Sequence, residues 1–235
     1  MAMTSFPDTL PRNRLLAEIS LWSADLLNLA QDMARIAPYG DILHIDVADA
    51  RFTPGFLFFP DLVARIAEAA QAPVHVHLMT QGDIVVAQAQ QFAEAGADLV
   101  TVHAETGPDG LEALDMLAAR GIAGGVALTL EQPLEALEPF LSKVAMVTLM
   151  GTRIGIKGAG LDPEACARIS QLRCRLDARG LEKVLIAADG GIRETTVPDL
   201  RAAGADTVVM GSLAFGAEDL PARFDWLRGL GAQLA

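Results

Sequence analysis

The stretch that decides the fold is Gly40-Asp41-Ile42-Leu43-His44-Ile45-Asp46-Val47-Ala48-Asp49, a short apolar run with His44 and Asp46 two residues apart. In an extended strand alternate side chains share a face, so this imidazole and this carboxylate point into the same space. A charged group in an apolar strand is costly unless a hydrogen-bond partner or a metal compensates it. The pattern therefore predicts a buried strand that carries a chemical site on one face.

Short buried strands and amphipathic helices alternate along the rest of the chain. About eight alternations in 235 residues favour one α/β domain, a closed (β/α)8 TIM barrel. A weak internal repeat supports this fold, since residues 92–100 and 200–208 each read as a helix end, a glycine and a strand start. We expect an N-terminal arm over residues 1–12 and the barrel over residues 13–235.

Two helices of this barrel are predicted from local signals. Ser23 is a good N-cap, and apolar residues follow it at helical spacing. They are Leu26, Leu29, Met33 and Ile36. A second helix is expected around residues 134–141, between the fifth and sixth strands.

Polar residues also mark two later strands. Val74-His75-Val76-His77-Leu78-Met79 places two histidines on one face, and the strand that begins at Val184 ends on Asp189. In barrels of this kind chemistry lies at the carboxyl ends of the strands. The set His44, Asp46, His77 and Asp189 offers two imidazoles and two carboxylates, which suit Zn²⁺, Fe²⁺, Mn²⁺ or Co²⁺ better than Mg²⁺ or Ca²⁺. The alternative is that each is a hydrogen-bonded buried polar group.

Composition limits the partners and the compartment. The formal net charge of −12 argues against nucleic acid and against anionic membranes, because both need a basic face. No apolar run approaches the roughly 18 residues that a membrane span needs. Residues 1–14 do not resemble a signal peptide. Cys166 and Cys174 lie eight residues apart in one predicted helix, too far to bridge, so we expect reduced thiols and a cytoplasmic protein.

Five motifs in order make the chain resemble the ribulose-phosphate 3-epimerase family over nearly its whole length after residue 12. They are Ser20-Leu21-Trp22-Ser23-Ala24-Asp25, His44-Ile45-Asp46-Val47, Val76-His77-Leu78-Met79, Asp189-Gly190-Gly191 and Met210-Gly211-Ser212. The resemblance implies a barrel of the ribulose-phosphate-binding type that inverts C3 of a ketose phosphate through an enediolate. Ribulose 5-phosphate and xylulose 5-phosphate, or a related sugar phosphate, would be its substrates.

The resemblance also implies roles for individual residues. One divalent metal would be bound by His44, Asp46, His77 and Asp189. Asp46 and Asp189 would also be the acid and base on opposite faces of the substrate. Ser20 would contact the substrate near the metal, and Met79 and Met150 would line the site, although a methionine at a strand end is equally a packing residue. Family members commonly assemble as dimers or hexamers, so a homo-oligomer is expected.

This chain departs from the family pattern near the site. The family usually has Met at Ala48, Gly at Ala50 and Asp at His75. The loss of a large side chain at Ala48 is expected to leave room for a bulkier substrate.

The largest departure is the phosphate loop. Where the family has a glycine-rich N-P-G-F-G-G-Q type loop, this chain reads Gly151-Thr152-Arg153-Ile154-Gly155-Ile156-Lys157-Gly158-Ala159-Gly160. Backbone amides in such a loop can still bind phosphate, and Arg153 and Lys157 add positive charge. The other half of the phosphate site is expected from Gly191, Gly211 and Ser212. The alternative is a solvated surface loop.

Other functions fit parts of this pattern. Decarboxylases and Schiff-base aldolases of this fold need a lysine at a strand's carboxyl end, whereas Lys143 and Lys183 precede strands, at the opposite end of the barrel. A metal-dependent aldolase would use the same ligands and would release a smaller carbonyl product. A non-catalytic phosphosugar-binding protein has little need of two carboxylates at the site.

Overall fold

Eight parallel strands form a closed barrel in the computed structural model, which describes residue 6 and residues 10–156 and 158–230. Each strand pairs with its neighbours in chain order, and the last pairs with the first. The strands are β1 (Leu16–Ser20), β2 (Ile42–Ala48), β3 (Val74–Met79), β4 (Leu99–His103), β5 (Ala123–Leu128), β6 (Met146–Met150), β7 (Leu185–Asp189) and β8 (Thr207–Met210). The predicted (β/α)8 barrel is confirmed.

Helices surround this barrel and bury their apolar stripes against its outer face. They are α1 (Leu29–Ile36), α2 (Pro60–Ala69), α3 (Gly82–Glu94), α4 (Gly107–Ala119), α5 (Ala165–Asp177), α6 (Val197–Ala202), α7 (Ser212–Phe215) and α8 (Leu220–Gly229). The short helix α7 was not predicted. Within the described ranges, no helix is both long enough and apolar enough to cross a bilayer.

The helix predicted around residues 134–141 is wrong. Two short 3₁₀ turns, Leu134–Leu137 and Leu141–Lys143, occupy this connection. Pro139 lies between them, and proline has no N–H to continue an α-helix and clashes with the preceding turn. The apolar spacing still serves the core, because Leu134, Leu137 and Leu141 are all buried.

The helix start predicted at Ser23 is also wrong. Ser23 ends a 3₁₀ turn, and α1 begins only after Asn28. The Asp25 carboxylate accepts hydrogen bonds from the Leu27 N–H at 3.0 Å and the Asn28 side-chain amide at 2.8 Å, which favours a turn here over a helix. Leu26 consequently points away from the core and is 55% exposed.

Inside the barrel the side chains form layers, as the period-2 alternation of the strands requires. The layer at the amino ends is apolar, and Leu10 packs into it beside Leu16 and Ile42. The middle layer is polar, with Glu18, His44, His75, Thr101 and Thr207 all fully buried. The layer at the carboxyl ends contains Asp46, His77 and Asp189.

Candidate metal centre

The four predicted metal ligands lie together at the carboxyl ends of three strands. β2 places His44 and Asp46, the parallel register sets His77 of β3 beside Asp46, and β7 ends on Asp189. One donor atom from each residue lies within 4.8 Å of all the others. His44 Nε2 is 3.2 Å from Asp46 Oδ1, and His77 Nδ1 is 3.5 Å from Asp189 Oδ2.

These atoms suit one divalent cation. Ligands held about 2.0–2.2 Å from a shared metal are themselves roughly 3–3.5 Å apart, close to the spacing here. His77 Nδ1 is also buried with no hydrogen-bond partner, which is costly unless something else binds it. Two imidazoles and two carboxylates form a donor set for Zn²⁺, Fe²⁺, Mn²⁺ or Co²⁺.

The charges of the cluster are mutually compensating. Burial alone would raise the pKa of Asp46, but the neighbouring His44 and His77 hold it well below its usual value. Burial would lower the pKa of His44, but Asp46 and Glu18 hold it well above its usual value. A cation that binds here replaces imidazole protons, so its binding releases them.

Ser20 contacts this cluster from β1. Its hydroxyl donates a hydrogen bond of 2.7 Å to Asp46 Oδ2, while Asp46 Oδ1 faces His44 and His77. The two oxygens of Asp46 therefore have separate partners, and this fixes the plane of the carboxylate.

A second pair of residues supports His77 from the far side. His77 Nε2 is 2.8 Å from His103 Nε2, and His103 Nδ1 is 3.4 Å from Glu105 Oε2. Burial would raise the pKa of Glu105, but its contacts with His103 and Thr129 bring it to about 2. If His77 Nδ1 holds a metal, its Nε2–H donates to His103 Nε2, and the proton on His103 Nδ1 then faces the Glu105 carboxylate. His103 is the last residue of β4 and was not among the predicted site residues.

A cavity of about 370 Å³ opens above the cluster. The predicted substrate-binding residues that the structure describes all line it: Ser20, Met79, Met150, Arg153, Gly191, Gly211 and Ser212. Lys157 lies outside the described residues. Trp22 and Arg193 also line the cavity and were not predicted, although Arg193 lies only two residues after the Asp189-Gly190-Gly191 motif.

Residues 152–156, 158 and 159 of the glycine-rich loop form one side of the cavity, and the loop is fixed at its base. The Gly151 N–H donates to the Asp189 carbonyl at 2.6 Å, and the Asp162 N–H donates to the Gly151 carbonyl at 2.8 Å. Gly191 has a φ of +70°, and a Cβ there would lie 2.6 Å from Leu161 Cα, so only glycine fits. By contrast, the Arg153 side chain is 79% exposed and lies 3.8 Å from Glu131.

Asp49 and Ala50, which follow β2, shape a loop. Asp49 accepts hydrogen bonds from the backbone N–H groups of Arg51, Phe52 and Gln81. Ala50 has a φ of +60°, the left-handed conformation that a glycine adopts without strain.

Known proteins are similar to this chain over most of its length. A family model described as "Ribulose-phosphate 3 epimerase family" matches residues 16–215. Ribulose-phosphate 3-epimerase of Bacillus subtilis (strain 168) is 30% identical over 211 residues, which cover 89% of this chain and 96% of that protein. The enzyme of the same name from Rhodobacter capsulatus is 34% identical over 197 residues, 83% of this chain and 84% of that protein.

The fold is also similar to solved structures of other enzymes. The structure of 3-keto-L-gulonate-6-phosphate decarboxylase from Vibrio cholerae O1 has a TM-score of 0.69 at 15% identity and covers 91% of this chain and 99% of that chain. At this identity the similarity establishes the fold alone.

Proposed function

The chain belongs to the ribulose-phosphate 3-epimerase family. We propose that it is a metal-dependent isomerase that inverts C3 of a ketose phosphate. Its substrates would be ribulose 5-phosphate and xylulose 5-phosphate or a related sugar phosphate. The observation that carries the proposal is the meeting of His44, Asp46, His77 and Asp189 at the base of a cavity.

Inverting a carbon beside a ketone requires removal of its proton, and the resulting enediolate forms slowly in neutral water. A divalent cation bound by the four residues would supply Lewis-acid stabilisation of the developing negative charge. Asp46 and Asp189, on β2 and β7, would take the C3 proton from one face and return a proton to the other. The low pKa of Asp46 suits a carboxylate that is ionised before the reaction.

The remaining residues would bind the substrate. Ser20 would hold the Asp46 carboxylate in place and contact a sugar hydroxyl, with Met79 and Met150 forming apolar walls. Backbone amides at Gly191, Gly211 and Ser212 would bind the phosphate. Arg153 and Lys157 would add positive charge at the rim of the cavity.

Proton NMR in D₂O tests the reaction directly. Metal-loaded enzyme is incubated with D-ribulose 5-phosphate, and both the loss of the C3 proton signal and the appearance of xylulose 5-phosphate are followed. Exchange with epimer formation is the expected result. Release of a smaller carbonyl compound would identify an aldolase instead, and the absence of both signals with metal bound would overturn this substrate.

We also infer a cytoplasmic homo-oligomer, a dimer or a hexamer, as in the family. The free thiols of Cys166 and Cys174 suit a reducing compartment. Leu27, Phe56 and Ile156 are large apolar side chains exposed on loops at the carboxyl ends of β1, β2 and β6, and contact between copies would shield them. Light scattering coupled to size-exclusion chromatography measures the mass, and a monomer would contradict the inference.

A further inference from the structure

A fully buried carboxylate lies one layer below the metal centre. Glu18 of β1 has no exposed surface, and side chains from β2, β3 and β8 contact it. His44 Nδ1 lies 2.6 Å from Glu18 Oε1, and Thr207 Oγ1 lies 3.3 Å from Glu18 Oε2. His75 Nδ1 also makes a short contact with Glu18 Oε1. This residue has no part in the proposed chemistry, and a buried acid needs a reason.

The contacts determine where the protons of this layer lie. His44 Nδ1 and His75 Nδ1 both contact the same oxygen, Glu18 Oε1. Two ring nitrogens can meet one carboxylate oxygen only as donors, so both imidazoles present an Nδ1–H to Glu18. His75 Nε2 is then free to accept from the Thr101 hydroxyl at 2.7 Å.

We propose that Glu18 is a positioning residue that holds His44 in the orientation and tautomer required for metal binding. With its proton fixed on Nδ1, His44 presents the lone pair of Nε2 to the space between Asp46 and Asp189, 3.2 Å and 3.8 Å away. A carboxylate behind a ligating histidine also makes that histidine a stronger ligand. The inference rests on the proposed function only through its metal.

In this chain the carboxylate beside His44 comes from β1, not from β3. His44 and His75 are direct partners in the β2–β3 register, so an acid at position 75 would lie next to His44. The family pattern usually has Asp there. In this chain position 75 is a histidine, the acid comes from β1 instead, and His75 packs edge-on against His44 with ring centroids 5.0 Å apart.

Glu18, His44 and His75 also offer three donor atoms within 4.8 Å, as a second metal site would. The hydrogen-bonding distance between Glu18 and His44 favours the supporting role. A second cation would require His44 to lose both ring protons and bridge two metals, because its Nε2 faces the upper cluster.

The test compares Glu18→Gln with Thr207→Val in the full-length protein. The first change keeps the size of the side chain and removes its charge. The second removes a buried hydroxyl that lies 3.3 Å from Glu18 Oε2 and leaves Oε1, the oxygen that contacts His44, in place. Apo-protein is titrated with CoCl₂ alone and followed by visible absorption, with a competing chelator to measure the dissociation constant. Circular dichroism checks the fold of each variant.

The expected result is one cobalt per wild-type chain, a dissociation constant about 10–100-fold weaker in Glu18→Gln with an altered cobalt spectrum, and a change below about threefold in Thr207→Val. Wild-type affinity in Glu18→Gln, equal losses in the two variants, or two cobalt ions per wild-type chain would each overturn the inference. If the wild-type protein binds no cobalt, both this inference and the metal dependence of the proposed function would be overturned.

A double variant keeps the test decisive if removal of Glu18 impairs folding. Glu18→Ala combined with His75→Asp moves the acid to the neighbouring strand, beside His44 in the register. A cobalt dissociation constant within about tenfold of the wild-type value is expected for the folded double variant. If the double variant folds and binds cobalt more weakly than this, a carboxylate beside His44 is not what sets the affinity.

Discussion

The base of the cavity consists of buried side chains on strands, whereas its rim is an exposed loop. At the base every predicted ligand lies on a strand and contacts another polar side chain, and His44 and His77 have no exposed surface. At the rim, the loop of residues 151–160 carries an arginine that is 79% exposed, with one acidic neighbour at 3.8 Å. The loop is fixed to the barrel through backbone contacts at Gly151 and Gly191.

We expect the base of the cavity to carry out the reaction and the rim to select the substrate. Strand residues cannot move without disturbing a closed barrel, so the base holds the groups whose distances matter for proton transfer. Loop residues can change with little cost to the fold, so the rim is the part of the site where sequence changes are tolerated best. Substitutions at the base should therefore alter turnover, and substitutions at the rim should alter substrate affinity.

The largest effect is expected at the base. Asp46→Asn and Asp189→Asn keep the shape of the side chain but remove a proton acceptor, so kcat should fall by about 10²–10⁴-fold in each while the circular dichroism spectrum is unchanged. Steady-state kinetics with a coupled assay measures the loss. Asp162→Asn, at the end of the rim loop, is the matched control and should change kcat by less than a few fold. Substantial turnover in either base variant would contradict the two-carboxylate mechanism.

The support behind His77 should contribute to stability in a pH-dependent way. Because the pKa of Glu105 is about 2 in the folded protein and about 4.5 when unperturbed, its stabilising effect is complete above pH 4.5 and is lost as pH falls toward 2. Glu105→Gln should therefore be about 1–3 kcal/mol less stable than wild type at pH 7, and the difference should shrink below pH 4.5.

Urea unfolding of both proteins between pH 3 and pH 7 measures this difference. Glu131→Gln, an acid at the rim whose side chain is 59% exposed, is the control and should stay within about 0.5 kcal/mol of wild type. A difference between Glu105→Gln and wild type that does not vary with pH would rule out an ionised Glu105 as the source.

The loop after β2 contains a strained residue, so a substitution there should increase the stability of the protein. Ala50 adopts a φ of +60°, which costs an L-residue about 1–2 kcal/mol, and part of this is offset by the greater unfolded-state entropy of glycine. Ala50→Gly should raise the free energy of unfolding by up to about 1 kcal/mol. Ala64→Gly, inside α2, is the opposite-sign control and should lower it by about 0.5–1 kcal/mol. Destabilisation by Ala50→Gly would show that the strain is relieved elsewhere.

The smallest effect is expected at the rim. Arg153→Ala should raise KM for a sugar phosphate by at most about fivefold without changing kcat, because an exposed charge contributes only about 0.2–1 kcal/mol. Lys157→Ala should act in the same direction. Arg51→Ala, an exposed cation paired with Asp83, is the control and should leave KM unchanged. A fall in kcat for Arg153→Ala would contradict the prediction that rim residues affect substrate affinity and not turnover.

The barrel, and the meeting of His44, Asp46, His77 and Asp189 in the candidate metal centre, could both be predicted from the sequence. Period-2 alternation and strand ends specify which side chains share a face, and these are local properties of the chain. Helical spacing gave the wrong prediction at two positions. Pro139 lacks the N–H that an α-helix needs, and the Asp25 carboxylate accepts hydrogen bonds that favour a turn. Those two errors left the barrel itself intact.

Local sequence patterns do not predict the polar layer beneath the candidate metal centre. Glu18 is a lone acid in an apolar strand, and burying it is costly for the same reason as burying His44, so the sequence does carry a signal. Its partners are 26 and 57 residues away, however, and only the parallel register brings them together. The contact of His103 with His77 likewise depends on which rotamers two packed strands allow.

The fixed base of the glycine-rich loop has a consequence for how such a protein diversifies. Since the Asp162 N–H bonds the Gly151 carbonyl, the intervening segment is an insert on a closed stem, and the Gly151 N–H ties that stem to the backbone of Asp189. Residues 152–160 can change in sequence and length while Leu161 keeps its place against Gly191 and the acid on β7 stays where it is. A loop transplanted from another barrel of this kind at these residues would carry its own ligand preference into an otherwise unchanged scaffold.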